Sequence, residues 1–242
     1  MSEEIPAEHV GEAHHGGATS GNRLNRLRAA VLGANDGIVS EAGLVVGVAG
    51  ATTDRATLLT AGLAGLVAGA VSMSLGEYVS VSSQRDAERE LLAKERRELA
   101  EEPEAELQEL AELYELKGLS PGTARQVAVE LTAADALGAH AETELHINPN
   151  DLVNPLTAGV ASALAFVLGA LLPLLAITLP PSDARVPMAV AVTLLSLTLL
   201  GWVSARAGAA DPRRAVLRVL LGGAIALALT YAIGNLTGAA VN

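Results

Sequence analysis

No cysteine occurs in the 242 residues, which removes disulfides, zinc–thiolate centres and thiol chemistry together. Charge is scarce as well. Charged side chains make up 18% of the chain against 50% hydrophobic ones, and mean hydropathy is positive. Soluble domains of this length carry more charge, so the composition points to a membrane protein. The opening "MSEEIPAEHVGEAHHGGATSGN" lacks an apolar core. That excludes a secretory signal peptide there and predicts a disordered polar tail over residues 1–22. His9, His14 and His15 lie in it, without the fixed geometry that a metal site needs.

Uncharged runs are what the chain has in plenty. A helix crosses a bilayer with roughly 20 apolar residues, and such runs lie at 56–76, 152–182, 186–205 and 219–242. Residues 29–53 make a fifth span, interrupted only by Asp36 and Glu41. The expected fold is all-α: transmembrane helices 1 and 2 within residues 23–83, and helices 3 to 5 within 151–242. Lys and Arg mark cytoplasmic loops, whereas Asp and Glu carry little weight there. Arg23, Arg26 and Arg28 precede the first span, and Arg206, Arg213, Arg214 and Arg218 surround the link between the fourth and fifth. The links at 54–55 and 180–185 hold one Arg each. The N-terminus and the long link between spans two and three are therefore expected in the cytoplasm, and the C-terminus on the opposite side.

That long link, residues 84–150, contains sixteen of the twenty-seven acidic residues against seven Lys and Arg. It is rich in helix formers, and the breaks at Pro103 and at Gly118–Gly122 predict three helices, about 84–101, 104–117 and 121–146. An anionic membrane surface would call for Lys and Arg instead, so the insert is suited to cations. Residues three, four and seven apart share a helical face. Glu95, Glu98 and Glu102 satisfy that spacing, as do Glu106, Glu109 and Glu112. Two such faces across Pro103 would form an oxygen-rich site, to which His140 and Glu144 add a nitrogen and a further carboxylate. The alternative is a solvated face of mixed charge, since Lys94, Arg96 and Arg97 are interleaved.

A carboxylate in the middle of a membrane helix costs about 2.5 to 3.5 kcal/mol on insertion scales, so it usually faces a partner or a water-filled path. Asp36 is a functional candidate on that ground. It lies about 12 Å along the first helix from Arg28, and Glu77 lies about 12 Å from Arg85 on the second, so the two share a depth. Met73, one turn beyond Glu77, adds a thioether. Mixed oxygen and sulfur ligands suit late first-row divalent ions better than Mg2+ or Ca2+, and the carboxylates favour Mn2+ and Fe2+ over Cu(I). Glu41, about 140° around the helix from Asp36, belongs with the pathway but faces either its exit or a second subunit. Gly43 and Gly47 in "GLVVG" would let two helices approach closely, as a dimer seam or as a notch within one chain. "GLVAG" at Gly65–Gly69 has the same form.

Taken together, "GANDGIVSEAGLVVGVAGA", "AGAVSMSLGEYVSVSSQRD", the Glu-rich insert and "NPLTAGVASALAFVLGALLPLL" resemble the vacuolar iron transporter family in a bacterial-type version, over residues 23–238. The resemblance implies a homodimer of five-helix subunits in a bacterial cell membrane. It would export Fe2+, and often Mn2+, from the cytoplasm in exchange for protons, in the service of metal homeostasis. It also implies a membrane site on Asp36 and Met73, insert ligands on Glu95, Glu98, Glu106, Glu109 and Glu144, and a seam on the first span. Two departures stand out. Eukaryotic relatives carry a Glu where this chain has Gly65, so the site lacks one carboxylate or recruits Glu77, and some relatives have a Met where this chain offers His140. Lipid, divalent ions, protons and a second copy are the expected partners, with no nucleic acid and no tightly bound cofactor. No enzymatic activity is expected. The competing readings are a membrane-anchored di-metal enzyme of ferroxidase type and a metal sensor on an inert anchor. The first wants Glu-x-x-His motifs on two helices, and none occurs in the insert. The second has no use for Asp36 in mid-membrane.

Overall fold

A computed structural model describes residues 17–241, with side chains from Leu27 to Ala240. Its described residues form seven helices and no strand: α1 (Gly17–Ala51), α2 (Arg55–Glu101), α3 (Pro103–Leu116), α4 (Pro121–Thr143), α5 (Pro155–Thr178), α6 (Arg185–Ala207) and α7 (Pro212–Val241). Five of them contain stretches long and apolar enough to cross a membrane, in α1, α2, α5, α6 and α7. The all-α, five-span expectation therefore holds. Residues 1–16, with the three tail histidines, lie outside the described residues, and helix begins at Gly17, ahead of the boundary expected at residue 22. The chain divides into two compact units, one of residues 26–89 and 153 onward, the other containing Glu90–Leu152.

Sequence punctuation explains the helix ends. Asp54 caps α2 by accepting from Thr57 N and Thr57 Oγ1, each at 2.7 Å. From Glu77 to Glu102 there is neither Gly nor Pro, so the helix expected to start anew near residue 84 is instead the unbroken continuation of α2. Pro103, which cannot donate to the preceding turn, ends it and opens α3 as its first residue. Gly118, at φ 100°, closes α3: its N–H donates to the Glu115 carbonyl at 2.8 Å and the Leu119 N–H to that of Tyr114 at 3.3 Å, a Schellman pattern. Ser120 then caps α4, accepting from Thr123 N at 3.4 Å.

α4 is not regular throughout. Asp135 leaves helical geometry at φ −160° and ψ 90°, and its carboxylate accepts from Gly138 N at 3.0 Å. It acts as an internal N-cap for the final turns that carry His140. A side chain at Gly138 would collide with the Asp135 carboxylate, which explains the glycine there. α3 and α4 pack through Leu110, Ala111 and Ala128, with Leu107, Tyr114 and Ala139 around them.

In the other unit α1 is held on several sides. Its Ala42, Val45 and Val46 enter a core with Leu58 of α2, Leu174 and Ile177 of α5, Ala189 of α6 and Leu227 of α7. Small residues bring backbones together: Gly37 abuts the Phe166 backbone and Gly169 abuts the Ala34 carbonyl. The pair Gly43 and Gly47 is occupied within the chain. A Cβ on Gly43 would lie 3.4 Å from Thr230 Cγ2 and one on Gly47 3.2 Å from the Thr230 carbonyl, both on α7. The notch is thus lined by a helix of the same chain, which is the second of the two arrangements that the glycine spacing left open. Leu164, Leu168, Leu195, Leu199, Leu221 and Ile233 are exposed, as side chains facing lipid would be. Two arginines go into the structure itself: Arg185 donates to the Thr53 carbonyl at 2.6 Å and the Pro180 carbonyl at 3.2 Å, and Arg55 to the Leu179 carbonyl at 3.0 Å. They tie the link after α1 to the end of α5.

Candidate functional site

Three helices of the insert bring four candidate ligands to one point. Glu95 of α2, Glu106 of α3 and Glu144 at the end of α4 present carboxylate oxygens 3.0, 3.6 and 3.7 Å from Nδ1 of His140. His140 is fully buried, Glu95 and Glu106 nearly so, and Glu144 is half-buried. Glu95 Oε1, Glu144 Oε2 and both ring nitrogens of His140 have no aligned hydrogen-bond partner. Buried polar atoms are normally satisfied, so this convergence calls for an ion. Ligand atoms about 2.1 Å from one cation lie about 3.0 to 4.2 Å from each other, and those of Glu95, His140 and Glu144 lie within 4.8 Å of one another. One imidazole with several carboxylates suits a first-row divalent ion.

The field at this point is strongly negative. Burial, followed by the charges of Glu144, Glu106, Glu98 and Glu109, pushes the Glu95 carboxyl from its ordinary 4.5 up to about 7. Glu106 is raised too, by burial first and Glu109 next, with His140 pulling it back. Glu98 and Glu109 thus act through their charge. Glu98 is itself half-exposed and pairs with Lys94 at 2.7 Å, and Glu109 is exposed. Two expected ligands are turned away. Glu112 is about 120° around α3 from Glu106, and it is exposed and accepts from Gln108 Nε2 at 3.0 Å. Glu102 has the right spacing but sits beyond the end of α2, exposed, at the cap position of α3.

The membrane unit holds a cavity of about 160 Å³, lined by Asp36, Ser40, Glu41, Met73, Ser72 and Phe166, with Leu44, Gly65 and Gly69 completing it. Ser40 Oγ donates to Asp36 Oδ1 at 2.7 Å, a partner that the four-residue spacing on α1 would have suggested. Asp36 and Met73, the pair that the resemblance implied, both line this cavity, whereas shared depth had paired Asp36 with Glu77. Glu77 does not line the cavity. The carboxylate found there is Glu41, whose oxygens lie 2.9 Å from where a Cβ on Gly62 would stand and 3.2 Å from where one on Gly65 would stand. Glu41 thus reaches the cavity from the first span, against the glycines of α2.

Comparison with known proteins gives this geometry its context. The model of the VIT family matches residues 27–235. The chain belongs to the VIT family. A "Vacuolar iron transporter" of Acanthamoeba castellanii is 43% identical over 212 residues, 87% of this chain and 78% of that protein. "Vacuolar iron transporter homolog 1" of Oryza sativa subsp. japonica is 39% identical over 224 residues, covering 92% and 78%. "Vacuolar iron transporter homolog 4" of Arabidopsis thaliana is 36% identical over 217 residues, covering 89% and 86%. Both the insert cluster and the cavity fall inside the stretch shared with the VIT family.

Proposed function

We infer that this chain exports divalent iron or manganese from the cytoplasm through the membrane cavity, with the insert collecting the ion and protons moving in exchange. The observation that carries the reading is the cavity itself: two carboxylates and a thioether line one space within membrane helices, where unpaired carboxylates are costly. Family membership and the names of the relatives support the same conclusion. Proton exchange follows from the ligand chemistry. Carboxylates must be deprotonated to hold a metal, so loading releases protons and protonation from the far side expels the ion. The insert is suited to capture, because it gathers one imidazole and three carboxylates at a single point. A di-metal oxidase would want a second histidine beside them. The setting is a bacterial cell membrane with the insert in the cytoplasm, and the assembly is a homodimer.

The test is flux into vesicles loaded with a metal-sensitive dye. Reconstituted full-length protein should move Fe2+ and Mn2+, faster with the receiving side acidic. Asp36→Ala should abolish flux while leaving metal binding by the insert intact. Equal flux by Asp36→Ala would remove the cavity from the pathway, and no flux by the natural chain would overturn the transport reading.

A further inference from the structure

Glu41 is 1% exposed, one of the largest fully buried side chains of the protein. Its Oε1 has no hydrogen-bond partner. The ion pairs among the described residues do not include it. A carboxylate removed from water without a donor or a counter-charge is strongly destabilising, and a Gln or Leu there would spare the fold that cost. The rest of its surroundings points to what compensates. The carboxylate forms part of the wall of the cavity that also contains Asp36 and Met73.

We propose that Glu41 is a direct ligand of the divalent cation in this cavity, and that Gly62 and Gly65 of α2 keep the space open for its carboxylate. The inference rests on the reading of the cavity as the ion's path and adds the ligand that completes it. Deprotonated, as metal ligands must be, Asp36 and Glu41 would together supply two negative charges, enough to balance a divalent ion. The volume of about 160 Å³ accommodates an ion with a few waters, each taking about 30 Å³ in the liquid. Side chains at either glycine would enter the carboxylate's seat: the distances of 2.9 and 3.2 Å to their built Cβ positions are shorter than ordinary contacts. At Gly65 the remaining obstacle is the end of the Leu44 side chain, which can turn aside. The seat is therefore accessible from either helix, and a carboxylate returned from α2 would point into the same space.

Binding and flux are measured separately, so that failure of this inference is distinct from failure of the transport reading. The full chain carrying Glu95→Gln, His140→Ala and Glu144→Gln, which removes the insert site, is titrated with Mn2+ in detergent while the free ion is followed by electron paramagnetic resonance. One ion per chain should bind, and adding Glu41→Gln should weaken it at least tenfold without lowering the melting temperature. Glu41→Ala should lose binding, and Glu41→Ala with Gly65→Glu should recover part of it. Unchanged affinity in Glu41→Gln, or no ion bound once the insert site is removed, would overturn the proposal. Retained binding that depends on Glu41 in a chain that moves no metal would support the ligand and overturn transport alone.

Discussion

Replacing Glu95 by Gln should make the metal-free insert more stable and at the same time unable to hold an ion. The carboxyl, raised from 4.5 to about 7 by burial and four neighbouring glutamates, is disfavoured in its charged form. In the unfolded chain it ionises near its ordinary value. Between about pH 4.5 and 7 the folded state therefore holds a proton that the unfolded state has lost, and stability falls as pH rises through that window. At about 1.4 kcal/mol per pH unit the full effect above both values is about 3 kcal/mol, and solvent reaching the site past half-buried Glu144 reduces it to about 2 kcal/mol. Glutamine has no charge to lose. Near pH 8 and without metal, the variant's amides in α3 and α4 should exchange about 30-fold more slowly than the natural protein's, since about 1.4 kcal/mol is tenfold. Near pH 5 the difference should nearly vanish. Mn2+ should then slow exchange in the natural chain and leave the variant unmoved. Faster exchange in metal-free Glu95→Gln near pH 8 would refute the reasoning, because Glu95 would then be a structural partner of His140 and not a strained ligand.

Further outcomes follow from the packing. Gly47→Leu should drive a side chain against the Thr230 carbonyl of α7, costing about 1 to 3 kcal/mol of overpacking. A lower melting temperature with the oligomeric state unchanged by light scattering is expected, and dissociation without destabilisation would restore the glycine pair to a subunit seam. Arg185→Met keeps the side chain's bulk but leaves the Thr53 carbonyl without its charged donor and the Pro180 carbonyl with Arg55 alone. A loss of about 2 to 3 kcal/mol should appear as a lower melting temperature in detergent. Asp135→Ala removes the cap on Gly138 N and should cost about 1 kcal/mol. Divalent affinity should fall with it, since the turns it starts carry His140, and unaltered calorimetric binding would separate the kink from the site.

The helices were legible in the sequence because their causes are local. An uncharged run of membrane length, a proline at residue 103 and a glycine at 118 act within a turn or two of themselves, and each leaves its mark where the structure has one. Asp36 was legible for a different reason: a carboxylate in hydrocarbon is costly whatever packs beside it. The insert glutamates were legible only as a set. Spacing put Glu102 and Glu112 on the same footing as Glu95 and Glu106, and it left His140 at the margin of a site of which it is the centre. Which face of a helix turns inward depends on where another helix, distant in sequence, lays its backbone. That is why Glu41 had no place until Phe166, Gly65 and Gly69 closed a cavity around it, and why Gly43 and Gly47 were open to a second subunit until Thr230 of α7 filled them. The sequence by itself determined the membrane spans, the breaks at Pro103 and Gly118 and the presence of charge where lipid should be. Tertiary packing alone decided which charges meet, because the free energy of bringing carboxylates together depends on contacts between helices and not on the spacing along any one of them.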